Sequence, residues 1–216
     1  MNKLILTGAL VLFGLFSFAQ KTDKEIKKEI GSKAIKSARK EAKKYKKEGW
    51  DVSPGSLPLE KMIEATFIKF SETTDKGRKR YISVEGNGVG ETKTAADMQA
   101  LTVAKLALAS QIQSNVNALL SSNIANQQLN NEDAASITQT LANSKEVISA
   151  QLGYVDPIFK IYRTPKGNNK NTEVLIRIFY DTEQSYQIVK KVIQKDLKDK
   201  LKINEEQLDK MMGINE

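Results

Sequence analysis

The chain has 216 residues, 34 lysines and arginines against 26 aspartates and glutamates, and neither cysteine nor histidine. The missing cysteine excludes a disulfide framework, a thiolate metal site and lipid attachment at a lipobox, and the missing histidine excludes every Ser-His or Cys-His catalytic arrangement. The net charge of +8 is concentrated: residues 21–48 hold twelve basic and five acidic side chains, residues 49–216 hold 21 of each, so a cationic segment is joined to a neutral remainder.

In chain order, Lys3, the uncharged apolar run Leu4 to Ala19 and the small residues of Ser17-Phe18-Ala19 read as a secretory signal over residues 1–19, cleaved before Gln20. The charged stretch starting at Lys21 follows at once, which suits a cleaved signal better than a spanning helix of about 20 apolar residues. Residues 20–48 are then expected to form a basic helical arm. Lys, Glu and Ala favour helix, and Ile26, Ile30, Ala34, Ala38, Ala42 and Tyr45 recur at intervals of four and three as one narrow apolar stripe. Being mostly alanine, the stripe offers little transfer energy to a membrane, at roughly 25 cal/mol per Å², and suits close packing on another helix. Gly31-Ser32 predicts a frayed or kinked start, and Gly49 a C-terminal cap.

Residues 49–79 are expected to be a connector and a helix that packs on the core. Trp50 opens the turn-rich connector, and its bulk makes it a packing anchor more readily than a ligand or partner contact. Ser56 as cap and Pro58 in the first turn predict a helix with Leu59, Met62, Ile63, Thr66, Phe67 and Phe70 on its apolar face.

Residues 80–216 should form the α+β core. Arg80 to Glu85 alternates as a strand and runs into Gly86-Asn87-Gly88-Val89-Gly90. Thr94 and Asp97 match a capping box for a helix reaching Ala125, with Leu101, Ala104, Leu108, Ile112, Val116 and Leu120 along one face. A further helix, from Glu132 to Ser149, pairs with it as a hairpin. Strands at Gly153 to Arg163 and Asn171 to Tyr180 follow, the second pointing Val174, Ile176, Ile178 and Tyr180 one way. Asp181 and Gln184 then cap a helix to Leu201 with Tyr186, Val189, Ile193 and Leu197 on one side, and a short amphipathic tail ends the chain. This order predicts a small three-stranded antiparallel sheet, a long central helix and further helices on one face, with the basic arm appended.

The strand Arg80 to Glu85, the junction Gly88-Val89-Gly90-Glu91 and the helix carrying Leu108-Ala109-Ser110-Gln111-Ile112-Gln113-Ser114-Asn115-Val116 together resemble the N-terminal domain of flagellar assembly protein T and the small outer-membrane lipoproteins related to it. The resemblance covers residues 80–190, rests on element order and a Gly/Ala-rich junction, and implies a non-enzymatic envelope domain that takes part in assemblies. The chain departs from it in lacking a lipidated cysteine and in carrying the basic arm.

Four motifs invite chemistry. The glycine run lies between strand and helix, where backbone amides bind anions. Its spacing matches no phosphate-loop fingerprint and Glu91 would repel phosphate, so the glycines are read as allowing close strand–helix packing. Ser37-Ala38-Arg39-Lys40 matches Ser-x-x-Lys without the partner elements of penicillin-interacting enzymes. Glu132-Asp133 and Asp181 with Glu183 are possible carboxylate pairs, better explained as acids in the first turn of a helix. The arm carries the strongest field, and Lys27, Lys28, Lys36, Arg39, Lys40, Lys43, Lys44 and Lys47 are its expected contacts with an anionic surface or acidic partner.

The sequence thus points to an exported protein, periplasmic or envelope-associated in a Gram-negative type bacterium. It reads as an interaction or assembly protein without catalytic, cofactor or metal residues, whose partner is an envelope protein or an anionic envelope surface. Peripheral membrane contact fits this reading and nucleic acid does not, since export separates the chain from it. The alternative is an exported hydrolase or small-ligand-binding protein using a carboxylate-lined pocket.

Overall fold

The computed structural model describes residues 23–75, 77–125, 131–165, 167, 170–197, 206, 208 and 209. The side chains of residues 23–30 and 123–125 and of Leu197 fall outside that set, as does the expected signal at residues 1–19. The fold is α+β. Helices α1 (Asp23–Lys47) and α2 (Leu59–Ser71) precede strand β1 (Tyr81–Gly90) and the long helix α3 (Lys93–Ala125). Helices α4 (Asn131–Asn143) and α5 (Lys145–Gln151), strands β2 (Phe159–Arg163) and β3 (Thr172–Asp181) and helix α6 (Thr182–Leu197) complete the order. The sheet is antiparallel, with β3 between β1 and β2.

Alternation along the strands sorts side chains to two faces. Val174, Ile176 and Ile178 of β3 join Ile82, Leu108, Ile112, Val116, Ile148, Val189 and Ile193 in the larger core, beneath α3, α5 and α6. The opposite face, with Phe159, Ile161 and Leu175, joins Ala38, Ala42, Trp50, Leu59, Met62 and Ile63 in a second core, beneath α1 and α2. Helices therefore cover both faces of the sheet, and the basic arm is itself one of the covering layers. Helix α1 runs unbroken through Gly31, where a frayed or kinked start was expected. It stops at Lys47, with Gly49 at φ 83°.

Glycine lets α3 lie directly on β1. The run from Gly86 to Gly90 belongs to β1 itself and does not form a separate junction. A Cβ on Gly86 would stand 2.8 Å from the Ala104 Cβ and collide with the Ala100 carbonyl. One on Gly88 would meet the Ala100 amide nitrogen at 2.5 Å. The alanines complete the fit, for Ala96, Ala100 and Ala104 are fully buried at this contact.

Several boundaries differ from the sequence expectation for local physical reasons. The cap of α3 is Thr92, whose Oγ1 accepts from the Ala95 amide at 3.1 Å, because Asp97 is engaged elsewhere. Helix α2 starts behind Pro58 without a side-chain cap from Ser56. The single helix expected to Ser149 is two: the Leu141 carbonyl accepts from the Ser144 amide and the Gln113 side chain, leaving the α-helical ladder, and α5 restarts after Ser144. Strand β2 begins only at Phe159, since Pro157 has no amide to donate to a ladder. At Asp181 the expected cap is present, its Oδ1 accepting from the amides of Glu183 at 3.0 Å and Gln184 at 3.1 Å.

A Gly88→Ala substitution forces a methyl group into backbone atoms that no rotamer change can move. It is expected to lower the unfolding free energy by about 3 kcal/mol, read as a lower urea midpoint at unchanged slope. A loss below about 1 kcal/mol would show that β1 and α3 have room between them.

Candidate anion-facing surface

Helix α1 is two-sided. Ala34, Ala38 and Ala42 are buried, and the Tyr45 ring packs on Phe159 with centroids 5.5 Å apart. Burial and the neighbouring Glu41 carboxylate raise the Tyr45 pKa. Small side chains bring the helix close to α2 and the sheet at little side-chain entropy cost.

Polar contacts fix this seating. Arg177 of β3 is only 9% exposed. Its Nε donates to Glu85 Oε1 of β1 at 2.9 Å, and Nη1 to Thr66 Oγ1 of α2 at 3.2 Å. Nη2 lies 3.7 Å from Glu41 Oε1 of α1. The guanidinium also stands over Phe159 and Phe70, 5.2 and 5.7 Å from their centroids. One buried cation thus gathers two helices and two strands, and its partners offset the cost of desolvation that an isolated charge would incur. No sequence motif marked Arg177. The available signal was a single charge in the apolar run Val174 to Phe179, on the face opposite Val174, Ile176 and Ile178.

The C-terminal end of α1 is held by a second arginine. Arg163 of β2 donates through Nε to Glu173 Oε2 at 2.6 Å and reaches the Glu48 carbonyl at 3.4 Å. Its guanidinium stacks 4.3 Å from the Trp50 ring centroid. Trp50 is 5% exposed, so it serves as the packing anchor of the connector. Asp51 adds two backbone hydrogen bonds to Tyr162, both 2.8 Å, which close the outer edge of β2. The hydrogen bonds from Arg163 and from Asn87, the latter at 2.9 Å, hold the Glu173 carboxyl below its ordinary value of 4.5, against the opposing effect of burial.

With the alanine side docked, the cations face outward. Lys36, Arg39, Lys40, Lys43, Lys44 and Lys47 are all exposed. Their positions span roughly 140° of arc at 3.6 residues per turn, centred opposite the alanine stripe. Among the described residues, none of the six takes an ion pair or a side-chain hydrogen bond. Lys46, to one side, lies 3.8 Å from Glu60 of α2. Lys27 and Lys28 fall on α1, and their side chains lie outside the described residues. Ser37-Ala38-Arg39-Lys40 is split by the same geometry, with Ala38 buried and the other three residues exposed.

The carboxylate pairs are placed apart from this surface. Glu132 and Asp133 occupy the first turn of α4. Asp181 and Glu183 border a depression of about 240 Å³ with Thr73, Thr74, Asp75 and Arg80. Asp181 is already engaged there as the cap of α6, and its Oδ2 lies 3.8 Å from Arg80. Among the described residues no group of three or more acids is arranged to hold a metal ion.

One cluster went unread in the sequence because its members come from three distant segments. Lys93 Nζ donates to Ser53 Oγ at 2.5 Å and sits 3.8 Å above the Tyr162 ring. The Tyr162 hydroxyl donates to Asp97 at 3.1 Å, and Lys160 stands 3.6 Å from the same carboxylate. The ring face favours a charged ammonium, so Lys93 acts toward Ser53 as a hydrogen-bond donor, and the cluster fastens the connector and the start of α3 to β2.

Among the described residues no helix is long and apolar enough to cross a membrane. Comparison with known protein families, with curated proteins and with solved structures found no match.

Replacing Glu173 by Gln should cost thermal stability at neutral pH and little in acid. The depressed carboxyl contributes stability that is present above 4.5 and lost as the pH falls through its native value. Melting curves of both proteins across that range should therefore converge in acid. A gap that stays constant with pH would deny the carboxylate this role.

Proposed function

We propose that the protein is an exported, envelope-associated interaction protein without catalytic activity, and that α1 is its contact surface for an anionic envelope surface or an acidic partner. The observation that carries this reading is the outward set of six exposed cations on a helix whose opposite side packs into the core through Ala38, Ala42 and Tyr45. A disordered basic tail needs no such mounting. Docking fixes the six charges on one rigid face, and near an anionic surface each is worth about 1 kcal/mol, so together they hold the protein without a lipid anchor. The attraction weakens as the screening length falls from about 10 Å at 0.1 M salt to about 3 Å at 1 M. Export, expected from residues 1–19, leaves envelope phosphates and acidic proteins as the counterparts.

Removing α1 would also remove a wall of the second core, so neutralisation is the informative change. A variant with Lys36, Arg39, Lys40, Lys43, Lys44 and Lys47 all replaced by Gln should melt close to the wild type, because these exposed side chains make no ion pair or side-chain hydrogen bond among the described residues and Gln keeps part of each stem. Cell fractionation should find the wild type with membranes at low ionic strength and released at high salt, and the variant in the soluble fraction throughout. If both proteins distribute alike, or salt releases neither, α1 is not the contact surface.

A further inference from the structure

The cationic face is not flat. A groove of about 630 Å³ runs along α1 where it meets α2, walled by Lys40, Lys43, Lys44 and Lys47 and lined by Ser37 and by Phe67 of α2. Glu41 borders it too, but its carboxylate is turned to Arg177. The chemistry is therefore mixed, with ammonium groups at the rim and lysine stems and a half-buried aromatic ring inside.

A planar layer of lipid head groups satisfies the rim and cannot enter a concave space. A free phosphate does the same and leaves the Phe67 ring wet. Insertion, the usual mode of an interfacial helix, is also disfavoured for the described part of α1, where Ala34, Ala38 and Ala42 are already buried. The occupant that meets both demands is convex, apolar on one side and acidic on its flanks. Rim lysines repeating every three or four residues match carboxylates spaced by one helical turn of about 5.4 Å.

We infer that this groove docks an acidic amphipathic segment of a partner protein, laying apolar side chains against Phe67 and carboxylates along Lys40, Lys43, Lys44 and Lys47, in the manner of a helix in a groove. The inference rests on the reading of α1 as the contact surface and narrows its partner to a polypeptide.

Three probes test it by fluorescence anisotropy or co-sedimentation with the purified protein at low salt. They are a synthetic helical peptide of about four turns with leucines on one face and glutamates on the other, a peptide with the same number of glutamates and no apolar face, and vesicles of phosphatidylglycerol and phosphatidylethanolamine. The protein variants are Ser37→Trp, which fills the groove from an exposed position and keeps every cation, and the combined Lys40→Gln, Lys43→Gln, Lys44→Gln and Lys47→Gln. The wild type should bind the amphipathic peptide at least about tenfold more tightly than the purely acidic one. Ser37→Trp should erase that preference and keep the residual salt-sensitive binding, and the fourfold variant should lose both.

Equal affinity for the two peptides overturns the groove while leaving the basic face as a contact surface. Tighter binding of the vesicles than of either peptide, unaffected by Ser37→Trp, also overturns it and makes a lipid surface the counterpart. Binding to none of the three probes removes the contact surface itself, and the groove with it.

Discussion

The backbone of α3 lies on the backbone of β1, and the rest of the architecture depends on that contact. Gly86, Gly88 and Gly90 take the same face of the strand, and the alanines of α3 come within a distance that no side chain on β1 would allow. Because strand side chains alternate, the register that turns Gly86 to α3 turns Glu85 the other way, and β3 answers with Ile176 beside the glycine and Arg177 beside the glutamate. A slip of one residue would drive Glu85 into the larger core and expose the glycines. Steric fit on one face thereby fixes the electrostatics of the other.

On that other face the arm ceases to be an appendage. Alanine adds little hydrophobic free energy per residue, so seating α1 requires more than its stripe. Arg177, shared between Glu41 and Glu85, adds direction to a non-directional contact. Trp50 and Arg163 fix the end of the helix. Glu173 joins Asn87 on β1 to Arg163 on β2, so the three strands are tied laterally on the face that α1 covers. Two arginines of the sheet thus determine where the lysines of α1 point.

Periodicity made most of this legible. Among the described residues the 3.6-residue pattern located every helix but missed the break at Ser144, where a glutamine reaches across from α3 and no local signal marks it. Alternation located β3 and the start of β1. It could not extend β1 through Gly86 to Gly90, since glycines score as turn formers until a partner helix is seen lying against them. The alanine stripe suggested packing on another helix, and α1 lies against α2; the bulk of Trp50 suggested an anchor, and its side chain is buried. The role of Arg177 was not legible, because a single charge in an apolar strand acquires meaning only from Glu41 and Glu85, 136 and 92 residues away in sequence. The Ser53, Lys93 and Tyr162 cluster was hidden for the same reason.

The cations themselves could be counted in the sequence, but not their rigidity. A free helix or a disordered tail with the same charges would adapt to any anionic surface and lose conformational entropy on doing so. In α1 that ordering cost is met during folding, by Ala38 and Ala42 in the core and by the ion pair to Arg177. The six outward side chains then project from backbone positions at fixed spacing, so on the proposed reading affinity would depend on how well a counterpart matches that spacing and not only on its charge. On the proposed reading, a cationic ridge mounted on a docked helix beside the groove between α1 and α2 would discriminate among acidic partners in a way that net charge alone cannot.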